Sequence, residues 1–164
     1  MTLTCYIIDT SSLIELSKSN PLDLYPIVWK KVEGLIYSNR LISPREVLNE
    51  ISLRDDELTI WSKAHKELFI DPTPQQVNNV RDILSKYPSI INVKNRYSAD
   101  PWVIALALER IEDPQQTLMI IKNFVVTEEK IRGEKVRIPY ICQNFNVKAI
   151  TIFEMFRIEG WVFG

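Results

Sequence analysis

Short apolar runs rich in β-branched residues, set between much longer segments of helical periodicity, constrain this chain more than any other feature. Residues 3–8, 40–43, 124–126 and 147–150 are too short for stable helices, and they read as strands buried on both faces. Strand and helix alternate along the chain. That order predicts an α/β fold in three layers, α/β/α, with a central, mainly parallel sheet covered by helices on both sides. In such sheets ligands bind beyond the carboxyl ends of the strands, near the point where strand order reverses. The residues just after each strand are therefore where chemistry is expected.

The helical segments carry their own boundary signals. A short helix is expected after Ser11 and Ser12, capped by a serine and stopped at Asn20-Pro21. Residues 24–37 predict a second helix with Leu24, Ile27, Val28, Leu35 and Ile36 on its inner face, extended by Trp29 and Val32. Ser43-Pro44 places a cap and a first-turn proline before Val47, Leu48 and Ile51. Residues 57–69 and 74–87 predict two more helices, the latter opening on Thr73-Pro74. Residues 101–111 are nearly all apolar and predict a buried helix, while 117–121 fit either a strand or a helix tail. A short helix begins at Ile138-Pro139, and Thr151 caps a last one that ends before Gly160.

With 164 residues, 46% of them hydrophobic, and no Gly-rich, Ser-rich or Pro-rich tract, the chain reads as one domain spanning 1–164. Twenty basic residues against 21 acidic ones give a net charge of −1, which excludes a wholesale basic coat for nucleic acid. Any polyanion must then be held by a local patch or through metal ions. The start, MTLTCYIIDTSSL, has no basic leader region, and no apolar run approaches the length of a bilayer, so a cytoplasmic protein without a membrane segment is expected. Cys5 and Cys142 lie far apart and His65 is the single histidine, which argues against disulfides, thiolate zinc sites and a Ser-His-Asp triad. His65 reads as a surface helix residue.

Acids follow the strands. Asp9 ends the first, Glu46 and Glu50 lie on the helix after the second, Asp100 opens the apolar helix, and Glu128 and Glu129 follow residues 124–126. Each alone has an ordinary structural role: Asp100 before Pro101 as a cap, Glu46 and Glu50 as a solvated helix face, and Glu128 and Glu129 as turn residues. Together they suggest more, because converging carboxylates repel and a hard divalent cation relieves that repulsion. Oxygen-rich sites of this kind suit Mg²⁺ or Mn²⁺ bound with water and substrate phosphates, which predicts metal-assisted phosphodiester chemistry.

Four segments in order, YIIDTSSLIEL, LISPREVLNEI, SADPWVIALAL and VVTEEK, resemble the PIN domain, closest to a small PIN-like prokaryotic family, and with IPYIC and FEMFRIEGW the resemblance covers nearly the whole chain. It implies a divalent-metal-dependent endoribonuclease, of a kind that includes the toxins of VapBC-type toxin–antitoxin pairs, with RNA and an antitoxin protein as partners. Position by position, it implies Asp9 as first acid, Glu50 as second, through the Pro44, Val47, Glu50, Ile51 pattern, and Asp100 as third. The fourth departs from the family's Thr-x-Asp: Thr127-Glu128-Glu129 puts Glu129 there. Thr10 and Ser11 match the polar pair after the first acid, with a helix cap as the alternative for Ser11, and Thr127 either holds a phosphate or closes the turn.

Lys130, Arg132, Lys135 and Arg137 offer a basic rim after the fourth acid; Lys94 and Arg96 precede the third, and all are equally readable as ordinary solvated charge. Tyr97 and Trp102 flank Asp100 and can stack on a base, though Trp102 also suits a core or dimer contact. Trp61, Leu68, Phe69, Val77, Val80 and Leu84 either cover a groove, make the dimer face of a homodimer, or form core. Ser11 replaces the second Asp that a dehalogenase-type phosphatase needs, no acidic pair marks a phosphoacceptor, and four glycines give no phosphate loop. A catalytically inactive PIN-like module that binds RNA or protein is the alternative function.

Overall fold

The computed structural model describes residues 2–113, 119–131, 133 and 135–164. Its centre is β1 (Thr2–Ile8), where Tyr6, Ile7 and Ile8 are all fully buried. A strand covered on both faces needs neighbours on both edges. β1 pairs in parallel with β2 (Leu41–Pro44), Tyr6 opposite Leu41, and with β4 (Ile120–Val126), Ile7 opposite Val125. β3 (Phe69–Ile70) adds to β2, and β5 (Lys148–Ile150) adds to β4. The order is β3-β2-β1-β4-β5, all parallel. The chain runs outward to β3 and returns to the other side of β1, so strand order reverses between β1 and β4.

Parallel neighbours require long crossovers, and helices provide them. The described residues contain eight α-helices: α1 (Thr10–Ser19), α2 (Pro26–Tyr37), α3 (Arg45–Ile51), α4 (Glu57–Ala64), α5 (Pro74–Lys86), α6 (Asp100–Ile111), α7 (Ile138–Asn144) and α8 (Ile152–Glu159). The apolar α6 lies against β1, β2 and β4, with α5 and α7 beside it. The second helical layer includes α1, which meets α3, α4 and α8, and α2, which packs on β2. The architecture is the expected three-layer α/β/α. No helix among the described residues is long and apolar enough to cross a membrane.

Several boundaries differ from expectation for identifiable reasons. The helix expected over 57–69 stops at Ala64; Lys66–Leu68 form a 3₁₀ turn and Phe69 enters the sheet opposite Ser43. A two-residue strand leaves no periodicity to read, so edge pairing overrides the helical pattern. Ser43 does not cap α3, because β2 continues through Pro44; its buried Oγ donates to the Ile8 carbonyl at 2.6 Å, and Pro44 takes the cap position. Asp9, not a serine, caps α1, accepting from the Ser12 amide at 2.8 Å.

The second helix begins at Pro26, leaving Leu24 69% and Ile27 63% exposed, while Val28, Trp29, Val32, Leu35 and Ile36 face inward. His65 is no open surface residue: it ends α4, stacks on Trp61 with ring centroids 4.6 Å apart, and places Nε2 3.2 Å from a Glu33 oxygen. Trp61, Leu68, Phe69 and Val80 are buried in the core. Thr117 and Leu118, in the ambiguous 117–121 stretch, lie outside the described residues, and β4 begins at Ile120. Other signals hold: Thr73 and Thr151 cap α5 and α8, and Gly160 ends α8 at φ 70°, where a side chain is strained.

The Ser43 bond ties β2 to the strand end that presents Asp9. Ser43→Ala should therefore cost about 1 kcal/mol of stability. A lower denaturant midpoint at unchanged slope checks it.

Candidate functional site

Asp9 sits where β1 ends and α1 begins, 2% exposed, at the reversal point of the sheet. The Ser11 hydroxyl lies 2.8 and 2.9 Å from its two oxygens, and the Ser12 amide donates to Oδ1. Ser11 Oγ also accepts from the Glu128 amide at 3.0 Å, so one hydroxyl links the first acid to the loop after β4. Burial pushes the Asp9 carboxyl up to about 7; hydrogen bonds from Thr127, Ser12 and Ser11 oppose the rise, and the charge of Glu129 adds to it. Capping and site geometry coincide in the same side chain.

Glu50 comes from the last turn of α3 and is held from both sides. Its Oε1 accepts from Thr10 Oγ1 at 2.5 Å, and its Oε2 accepts from the Ala99 amide at 3.2 Å. The second acid is thus fastened to the residue after the first acid and to the residue before the third. Glu46, one turn earlier, instead accepts from Asn49 at 2.9 Å.

Asp100 is the first residue of α6 and does not cap it: Ala99 occupies the cap position without a side-chain bond. Its carboxyl is pushed up to about 8, first by burial and then by the charges of Glu129, Asp9 and Glu50. Those charges are all negative. Glu129 approaches from the β4 loop, its Oε2 accepting from the Ile138 amide at the start of α7. Glu128 points the other way, accepting from Ser12 Oγ at 3.2 Å and the Ile152 amide at 2.8 Å, where it serves the start of α8. Between the two adjacent glutamates, Glu129 is the one that acts on Asp9 and Asp100.

Thr127 is 2% exposed; its amide donates to the Ile150 carbonyl and its Oγ1 accepts from the Glu129 amide. It closes the turn, beside Asp9. Cys142 is buried beneath, its thiol pushed up to about 12 by burial and by the charges of Asp9 and Glu129, which keeps it protonated at neutral pH. Among the described residues no group of three or more His, Cys, Asp or Glu side chains is placed to hold a metal ion as it stands. Asp9, Glu50, Asp100 and Glu129 share electrostatic range while each keeps its own place.

Of the basic rim, Arg132 lies outside the described residues, Lys130 and Lys135 are exposed, and Arg137 is the half-buried cap residue of α7. Arg45 pairs with Asp71 at 2.8 Å, away from Glu46. Sequence reasoning missed the bracing of Glu50 by Thr10 and the Ala99 amide, and the part played by Ser12. Ser12 carried one readable signal, since the residue three after a capping acid donates its amide to it.

The whole arrangement lies inside a family match. The chain belongs to the family described as "Domain of unknown function (DUF4411)", which covers residues 6–163. No curated protein matches it.

Proposed function

We propose that the protein is a divalent-metal-dependent endoribonuclease of PIN type, with Asp9, Glu50, Asp100 and Glu129 as its acids and Mg²⁺ or Mn²⁺ as its cofactor. The observation that carries the reading is the way one acid is tied to the neighbours of two others: Glu50 accepts from Thr10, which follows Asp9, and from the Ala99 amide, which precedes Asp100. The donor set fits a hard cation, because oxygen ligands of full negative charge are what Mg²⁺ and Mn²⁺ take, and a bound cation favours the ionised forms that burial disfavours. When bound, such an ion supplies Lewis-acid chemistry for phosphodiester hydrolysis.

The chain's own residues then have distinct tasks. Asp9 and Asp100 present carboxylates from the ends of neighbouring elements, Ser11 fixes the orientation of Asp9, and Thr10 with the Ala99 amide fixes that of Glu50. Glu129 reaches in from the opposite loop, held by the Ile138 amide. Lys135 and Arg137 are proposed to meet phosphates on that side, and Arg132, which lies outside the described residues, is proposed as a further phosphate contact. Neither His65, stacked on Trp61 and facing Glu33, nor the protonated thiol of Cys142 is given a part. A toxin role with an antitoxin partner, a homodimer and a cytoplasmic location extend the same PIN reading.

The test is incubation of the purified chain with mixed RNA, with Mn²⁺, with Mg²⁺ and with chelator, followed by sequencing of the new ends. Discrete cation-dependent ends support the reading; intact RNA in all three sends it to the inactive binding module. Within the site, Glu50→Gln should reduce cleavage more than about tenfold, since even outer partners of a metal are worth 10–100-fold. Glu46→Gln, bonded to Asn49, should stay within about twofold of wild type in the same assay.

A further inference from the structure

The acid site does not end at Glu50. Thr10, Glu50, Leu53, Lys94, Arg96 and Tyr97 line an open groove, so the carboxylate braced by Thr10 forms one wall and the segment leading into α6 forms the other. Lys94 and Arg96 are exposed, and among the described residues neither is in a salt bridge. The Arg96 guanidinium lies over the Tyr97 ring, 5.4 Å from its centroid. Two cations that make no salt bridge among the described residues, with an aromatic ring beside them, thus border a concentration of negative charge that would otherwise repel a polyanion.

We propose that this groove holds single-stranded nucleic acid beside the acids, with one base stacked on Tyr97 and the neighbouring phosphate between Lys94 and Arg96. The proposal rests on the nuclease reading and gives it a strand path on the β2 side, opposite the rim formed by Lys135 and Arg137. A ring can stack only on a base whose face is free, which a duplex does not offer within its helix. The Arg96 contact readies the platform, because a guanidinium over an aromatic ring holds both groups in place. An acidic protein segment would use the two cations but gain nothing from the ring face.

Fluorescence anisotropy in chelator, with short labelled single strands of RNA and of DNA and a labelled hairpin duplex, tests the proposal. The wild type should bind single strands more tightly than the hairpin, and the RNA and DNA arms tell which sugar is preferred. Lys94→Ala with Arg96→Ala should weaken binding and reduce the slope of log affinity against log salt by about 0.7, the value for one lost phosphate contact. Tyr97→Ala should weaken it about tenfold with an unchanged salt slope, and Tyr97→Phe should match wild type. Wild-type affinity in the Ala variants, equal loss in Tyr97→Phe and Tyr97→Ala, tighter binding of the hairpin, or no binding of single strands would overturn it.

Cleavage with Mn²⁺, measured on the same proteins, keeps the two proposals apart. Wild-type cutting with unchanged binding in the groove variants rejects the groove alone. Groove-dependent binding by a wild type that cuts nothing rejects the nuclease reading alone.

Discussion

Asp100→Asn is expected to raise the melting temperature of the cation-free protein, and to raise it more at pH 8 than at pH 5. In the folded chain Asp100 holds its proton up to about 8 and Asp9 up to about 7, against an ordinary 3.8. Between those values the folded state binds more protons than the unfolded one, so these groups favour folding at low pH. Their contribution is fully present below the unfolded value and is lost as pH rises through the folded values. Asn cannot ionise and so removes the loss. The gain at pH 8 should be on the order of 2 kcal/mol, or roughly 4–8 °C for a domain of this size.

Asp9→Asn should gain less, since Asp9 also caps α1 and accepts from Ser11 through both oxygens, of which Asn keeps one. Mn²⁺ should stabilise the wild type by mass action, about 2.7 kcal/mol at a hundred times the dissociation constant, and Asp100→Asn much less. Melting curves in chelator and in Mn²⁺ at the two pH values check all three. Equal Mn²⁺ responses would count against a cation held by Asp100.

How much of this was readable beforehand depends on the range of the interactions involved. The strands around Asp9 and Thr127 were legible because parallel strands buried on both faces are apolar throughout, and the helix after Asp100 because Asp-Pro and an unbroken apolar run leave few alternatives. Thr73 and Thr151 were legible as caps because capping is local. Ser43 looked like another cap and is not, since whether it lies in a strand or before a helix depends on pairing with Phe69, 26 positions away. The helix expected over 57–69 failed for the same reason.

Within the candidate site, the list of acids was legible and their bracing was not. The Thr-x-Asp spacing of the resemblance pointed to Glu129 over Glu128, but that one carboxylate reaches the start of α7 and the other the start of α8 left no mark on two adjacent glutamates. The ties from Thr10 and Ala99 to Glu50 join α1, α3 and the residue that caps α6, and have no sequence signature. The groove wall at Lys94, Arg96 and Tyr97 looked like ordinary solvated charge until the fold set it against Glu50.

The other large effect concerns cleavage. Asp9→Asn and Asp100→Asn should each reduce cation-dependent RNA cleavage by more than about a hundredfold, because a ligand to the cation matters more than the outer partners, which are already worth 10–100-fold. Both variants should remain folded: Asn keeps the capping bond at residue 9, and Asp100 makes no capping bond to lose. The loss should therefore appear without any fall in melting temperature, unlike the loss that follows from unfolding. Excess Mn²⁺ should recover part of it if the remaining acids still hold the ion weakly.

The most direct measurement places wild type and Asp100→Asn, purified identically and matched by circular dichroism, on one labelled RNA in Mn²⁺ and in chelator. The account predicts discrete products from the wild type in Mn²⁺ alone and none above background from the variant. Equal cleavage by both proteins, or wild-type cleavage that persists in chelator, would contradict it.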